Sequence, residues 1–373
     1  IMREQALDKG LLEKAGRCAQ DYLDSVLDRP VFPGEEDLEG LEEFRHDLPE
    51  EPGDPGEILD RLHRFGSPAT VAQVGGRYFG FVNGGVVPAS LAVKWLVDAW
   101  DQNAALYAMS PVVSVLEEVC EGWLVDLFGL PEGSAAGFVG GSATANLCGI
   151  AAGRDHLLAK CGWDASSKGL FGAPELKVVV GDGAHATVFK ALSILGLGGE
   201  RLVRVPTDGQ GRLRPDGLPA LDERTLLILQ AGNVNSGAFD PFAEICPRAR
   251  EAGAWVHIDG AFGLWAASSP RLRHLTAGME LADLWSVDAH KTLNAPYDSG
   301  IVLCRQREAL TGALQVSGSY IAPSGHRDGM HYTLDMSRRA RAVELWACLA
   351  ALGRRGVAEL VDQRCLAAVQ PDQ

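Results

Sequence analysis

The chain has 373 residues, 46% of them hydrophobic and 22% charged, a balance that suits one large globular domain with a smaller appendage and argues against extensive disorder. With 34 basic against 49 acidic residues the net charge is −15, which argues against nucleic acid or an anionic membrane as partner. A small anionic ligand would need a local positive site.

The first expected element is a helix over residues 2–27, with Leu7, Leu11, Leu12, Ala15, Cys18, Tyr22 and Val26 at helical spacing and Pro30 and Pro33 ending the pattern. Residues 35–57 are acidic and carry proline and glycine, so they read as a solvated surface strap. Residues 75–85, GGRYFGFVNGG, set aromatics between glycines: either a loop that approaches a ligand or a tight structural turn. Two long helical patterns follow at 88–100 and 111–127. Beyond Pro131 short apolar strands alternate with helices, with strands expected at 137–140, 177–180, 202–205, 226–229, 255–258, 284–287 and 300–304. That rhythm predicts an α/β domain with a mostly parallel sheet buried on both faces, and ligands at the carboxyl ends of its strands. A long helix is expected over 336–360. The sequence starts at Ile1 and stops at Gln373 in what reads as the middle of an element, so a truncated chain is expected.

The eight cysteines are scattered, with no CxxC pair and no histidine at zinc-ligand spacing, so neither a metal site nor a disulfide framework is expected. No basic-then-apolar leader and no apolar run of membrane-spanning length stands out. The expected location is a reducing cytoplasm.

Four stretches carry chemistry. In FVGGSATANL (138–147) a strand meets a Gly-Gly turn and then Ser142, Ala143 and Thr144 where a helix would begin. Free N–H groups there make an anion site, although an ordinary N-cap would have the same look. In VVVGDGAHATV (178–188), His185 follows a buried strand, where an imidazole could stack on a planar ring or move a proton, or be a half-exposed loop histidine. In WVHIDGAFG (255–263), Asp259 ends a strand and is followed by Gly260 and Ala261, leaving flat space beside a carboxylate. That suits a protonated ring nitrogen; a helix-capping aspartate is the alternative. In SVDAHKTLNAPYDSG (286–300), His290 and Lys291 lie between two apolar strands, and burial there would make the lysine amine a usable nucleophile toward a carbonyl.

In this order and spacing the four motifs resemble the pyridoxal-phosphate-dependent group II amino-acid decarboxylases, the family of aromatic and glutamate decarboxylases, over residues from about 75 to about 353. The resemblance implies an aspartate-aminotransferase-like fold (fold type I): an N-terminal helical segment (1–74), a cofactor-binding large domain (75–335), and a connecting helix with the start of a largely missing C-terminal small domain (336–373). It implies that Lys291 holds the cofactor covalently, Asp259 pairs with the pyridine nitrogen, His185 and Ala261 flank the ring, and Ser142, Ala143 and Thr144 take the phosphate with His290 nearby. It further implies that Arg338 holds the substrate carboxylate, that Phe81 and Asn83 line the substrate pocket, and that Tyr320 is the mobile-loop acid that protonates Cα with help from His185. Three positions depart from the family pattern: Thr292 replaces a tryptophan, Asp288 an asparagine near the phosphate, and Val234 or Asn235, depending on register, a threonine. The implied activity is decarboxylation of an L-amino acid by a homodimer. The alternatives are other chemistry on the same cofactor, as in an aminotransferase or a carbon–carbon lyase, and an inactive truncated homologue.

Overall fold

The computed structural model describes residues 9–315 and 325–369. The chain divides into two compact units, residues 1–85 and 86–373. The boundary between the units falls after Gly85, and residues 336–369 belong to the same unit as the sheet.

The first unit has little core: Val26 and Ala72 are its buried apolar side chains among the described residues. Side-chain clips hold it together. Helix α1 (Gly10–Ser25) carries Lys14, whose Nζ donates to Gly56 O at 2.9 Å and meets Asp60 at 2.6 Å on α3 (Pro55–Arg61). Arg29 donates to the carbonyls of Ser67 and Thr70. The expected surface strap contains short helices, α2 (Glu35–Glu39) and α3, with no buried residue in either.

The second unit begins with α4 (Pro88–Trp100) and α5 (Pro111–Phe128), each opened by a proline in its first turn, where the missing N–H costs nothing. Then come β1 (Ala135–Val139), α6 (Ser142–Lys160), β2 (Lys177–Gly181), α7 (Ala186–Ile194), β3 (Val203–Val205), β4 (Thr225–Gln230), α8 (Phe242–Glu251), β5 (Trp255–Asp259), β6 (Leu284–Asp288), β7 (Gly300–Cys304), α9 (Arg307–Leu314) and α10 (Arg341–Val369). The strands form one sheet in the order β1-β7-β6-β5-β4-β2-β3, in which β7 runs against both of its neighbours and the other pairs are parallel. The last helical stretch starts five residues later than expected and is two helices joined at Gly353, whose φ of 60° breaks the spiral.

The alternation of strand side chains puts the core on both faces. Val256, Ile258, Trp285, Val287, Ile301 and Leu303 face one way, in a cluster with residues of α5, α8 and α10. Trp255, Leu284, Val302 and Cys304 face the other way, toward α6, α7 and α9. Helix α6 lies close to the sheet because two of its sheet-facing residues are glycine. A Cβ on Gly149 would stand 2.1 Å from a Leu284 methyl, and one on Gly153 2.8 Å from the Trp255 ring. Among the described residues no helix is long and apolar enough to cross a membrane.

Candidate active site

Gly300 opens β7 and pairs with Val139 on one side and Asp288 on the other. It thereby brings the Gly140–Gly141 turn beside the end of β6. A Cβ on Gly300 would stand 2.4 Å from Gly141 Cα, so only glycine lets the turn come this near. The strand period of two then aims His257 and Asp259 of β5, and Ser286 and Asp288 of β6, at α6, on the face marked by Trp255 and Leu284. Helix α6 answers with a stripe at i, i+4, i+7 and i+11: Ser142 meets Asp288, Asn146 meets Asp259 and Ser286, and Gly149 and Gly153 lie over Leu284 and Trp255.

Asp259 is buried at the carboxyl end of β5. Its oxygens accept from Asn146 Nδ2 (3.2 Å), the Ala261 N–H (3.2 Å) and Ser286 Oγ (3.4 Å). Burial raises its pKa, while these hydrogen bonds and the charges of Lys291 and His185 oppose the rise. Asn146 Oδ1 in turn accepts from Ser286 Oγ at 2.6 Å and lies 2.8 Å from His257 Nε2. Because Asn146 gives its amide N–H to a carboxylate, its oxygen must face His257, and the imidazole therefore carries its proton on Nε2. Burial lowers the pKa of His257 to about 3, so it is neutral.

Lys291 follows β6 in a turn, with its side chain 20% exposed and Nζ 2.9 Å from Asp288 Oδ2. Asp288 also accepts from the Ser142 N–H (2.5 Å) and Ser142 Oγ (2.8 Å) at the start of α6. His290 Nδ1 accepts the Ser299 N–H at 3.1 Å, its ring stacks on Tyr297 with centroids 4.2 Å apart, and burial lowers its pKa. The Ala143 and Thr144 N–H groups in the first turn of α6 have no partner among the described residues. His185 is the N-cap of α7: Nδ1 accepts the Thr187 N–H (3.3 Å) and lies 2.8 Å from Thr187 Oγ1, which puts the proton of the neutral ring on Nε2.

The structure thus gathers Ser142, Ala143, Thr144, Asp259, Ala261, His290 and Lys291 at one end of the sheet, with His185 close enough for its charge to act on Asp259. Arg338 and Asn235 do not make the contacts expected of them. Arg338 is not free to hold a carboxylate: its guanidinium is buried, 2.6 Å from Glu117, and donates to Ala104 O at 2.8 Å, so its charge is already spent. Asn235 is exposed, and the residue that organises its loop is the buried Asn233, which receives the Asn235 N–H and donates to Gly183 O. Phe81 and Asn83 lie in the first unit. Phe81 is exposed with φ 56°, and Asn83 donates to the Tyr78 hydroxyl at 3.1 Å. Tyr320 lies outside the described residues.

Sequence reasoning passed over Asn146, His257 and Ser286. The signal was present: His257 is a polar residue inside an apolar strand, two places before Asp259 and so on the same face.

The donor set fits pyridoxal phosphate. A buried acid that forms no ion pair among the described residues suits a protonated ring nitrogen; a lysine lies at the next strand end; free N–H groups and a backbone-walled turn suit a phosphate. Comparison with known proteins agrees. Residues 41–371 match the model of the pyridoxal-dependent decarboxylase conserved domain. The chain is 28% identical over 362 residues to the aromatic-L-amino-acid decarboxylase of Sus scrofa, a match covering 90% of this chain and 73% of that one. It is 31% identical over 246 residues to the aspartate 1-decarboxylase of Aliivibrio fischeri, covering 62% of this chain and 45% of that one. In fold it is similar to mouse CSAD (TM-score 0.86, 22% identity, 98% of this chain and 79% of that one) and to Oryza sativa TDC crystallised with PLP and tryptamine (TM-score 0.85, 23% identity, 98% and 78%).

Proposed function

The chain belongs to the pyridoxal-dependent decarboxylase family, and from that premise we propose that it removes the α-carboxyl group of an L-amino acid as CO2 and releases the amine. The observation that carries this reading is the convergence of buried Asp259, Lys291 and the N-terminus of α6 at one end of the sheet. When bound, pyridoxal phosphate supplies a cationic ring that accepts the electron pair left as the carboxylate departs.

The chain's own groups set the stage for that step. Asp259 Oδ would hold the proton on the ring nitrogen, and a positive partner there offsets the burial that now raises its pKa. Asn146, Ser286 and the Ala261 N–H fix the direction of that carboxylate. Lys291 Nζ is the amine for the cofactor aldehyde, Ala143 and Thr144 offer N–H groups to the phosphate, and Ala261 and His185 border the ring. The proton returned to Cα is assigned to Tyr320, assisted by His185, a contribution on the order of 10²–10⁴ in rate.

The working form proposed is a cytoplasmic homodimer, supported by family membership and by the buried thiols of Cys120, Cys148, Cys246, Cys304 and Cys348, all in the free state. Light scattering at the mass of two chains is the expected result. The substrate class stays open between aromatic and acidic amino acids, since relatives named for each are similar to this chain. The test is a screen of the amino acids for CO2 and amine, together with the visible absorbance of bound cofactor, which Lys291→Ala should abolish. Keto acid as main product would overturn the assignment of decarboxylation.

A further inference from the structure

At the phosphate end of the site, the donors that an anion would take are already held by a side chain of the chain itself. Asp288 is buried, and its two oxygens accept the Ser142 N–H at 2.5 Å and the Ser142 hydroxyl at 2.8 Å while lying 2.9 Å from Lys291 Nζ. On the reading of this site as a pyridoxal-phosphate site, we propose that Asp288 is a resident competitor for the cofactor phosphate and sets how tightly the chain holds its cofactor.

The Asp288 N–H donates to Ala261 O at 2.8 Å, its carbonyl accepts from Trp265 Nε1 at 2.9 Å, and its backbone pairs with Gly300. The backbone is therefore pinned, and the side chain points at the turn that opens α6. A phosphate that takes the Ser142 donors must displace the carboxylate or lie against it as a like charge, and at contact distance within a protein that repulsion is substantial. Other charges nearby do not offset it. Lys291 is the cation in contact, and its charge is cancelled by the acid. His290 Nε2 is 3.7 Å from Asp288 Oδ1, but burial lowers the pKa of that ring, and its Nδ1 is taken by the Ser299 N–H. The remaining acid near His290 is Asp298, which is paired with Arg339 and Arg341. Asparagine at position 288 would keep the shape and still accept the Ser142 N–H, while offering an amide N–H to the phosphate. One atom changes a competitor into a donor.

The experiment titrates inorganic phosphate, pyridoxal phosphate and pyridoxal into the full chain and into its Asp288→Asn and Asp288→Ser variants by calorimetry. Pyridoxal shares the ring and the aldehyde but lacks the phosphate. Thermal unfolding of each protein alone checks folding, and either folded variant decides the question. Both substitutions are expected to tighten inorganic phosphate and pyridoxal phosphate about tenfold or more, while pyridoxal, which reads the loss of the Asp288–Lys291 ion pair alone, should gain no such tightening. Folded variants that bind phosphate no more tightly than the parent would overturn the proposal. If none of the three proteins binds pyridoxal phosphate, the cofactor reading falls, and the inorganic phosphate titration still decides whether Asp288 excludes an anion.

Discussion

Around Asp259 the work is shared by side chains that never reach the reacting atoms. Asn146 gives its N–H to the carboxylate and its oxygen to Ser286 and His257, so the acid, the strand beside it and the helix above it are tied by one amide. Replacing Asn146 by alanine leaves the His257 N–H without its acceptor in a dry site and the Ser286 hydroxyl with its longer contact to Asp259, a loss of about 1–3 kcal/mol. Chemical denaturation should read that loss, and a lower cofactor affinity should accompany it. His257 adds a pH signature. Its folded pKa falls from 6.5 to about 3, so the unfolded chain takes the proton first as the solution is acidified. Its contribution to stability is thus complete above pH 6.5 and is lost as pH falls toward 3. Asp259, with its pKa raised, titrates in the opposite sense, so comparison with a His257→Gln variant isolates the imidazole. The variant should show the flatter fall in urea midpoint between pH 7 and pH 4. That Asp259 ends an apolar strand and that Lys291 sits in the turn after the next one was legible in the sequence, because each lies in a recognisable motif. The ion pair of Arg338 was not legible because its partner, Glu117, is more than two hundred residues away in sequence, and only the folded chain brings the two together.

At the scale of elements, most strands were legible as short apolar runs because a sheet covered on both faces needs side chains that are apolar on both sides. Their direction was not. Nothing in GIVLC says that β7 runs against its neighbours, yet that reversal lets Gly300 touch both the end of β6 and the turn before α6. The packing of β7 against Gly141 leads to a prediction. Gly300→Ala puts a methyl against the Gly141 backbone, which has no rotamer with which to yield, so stability should drop by about 1–3 kcal/mol. The turn carrying Ser142 must shift, so phosphate and pyridoxal phosphate should bind more weakly. Gly312→Ala in α9 is the control: its methyl would meet open space, and helix propensity alone should add up to ~1 kcal/mol. Denaturation midpoints and cofactor titrations of the two variants separate the local clash from any general effect of losing a glycine.

For the sheet-bearing unit as a whole, a second polar centre decides whether α5 and the segment before α10 stay fixed to the sheet. Glu117 and Glu121 stand one helical turn apart on α5. Arg327 Nε is 2.9 Å from Glu117 and its NH1 2.8 Å from Glu121, Arg338 is 2.6 Å from Glu117, and Arg307 of α9 is 2.5 Å from Glu121. Glu121 also accepts the Ala136 N–H of β1 at 2.7 Å, and Arg327 donates to the Ala136 carbonyl and lies 3.9 Å from the Tyr332 ring centre. These contacts are long in sequence, which is why composition and periodicity could not foretell them. Such a network is not strong because it is charged, since the cost of drying the ions nearly cancels their attraction. It is costly to break by halves. Arg327→Met leaves Glu117 with Arg338 and Glu121 with Arg307, but it takes a buried donor from each carboxylate and from the Ala136 carbonyl, and stability should fall by about 3–5 kcal/mol in urea denaturation. Arg327→Met combined with Glu117→Gln removes one charge of each sign, so the double variant should lose less than the two single losses added together. A double variant that loses the full sum would mean that Arg327 and Glu117 act independently, and that the segment before α10 is held to α5 by other contacts, such as the Ser114 hydroxyl on the Arg327 carbonyl.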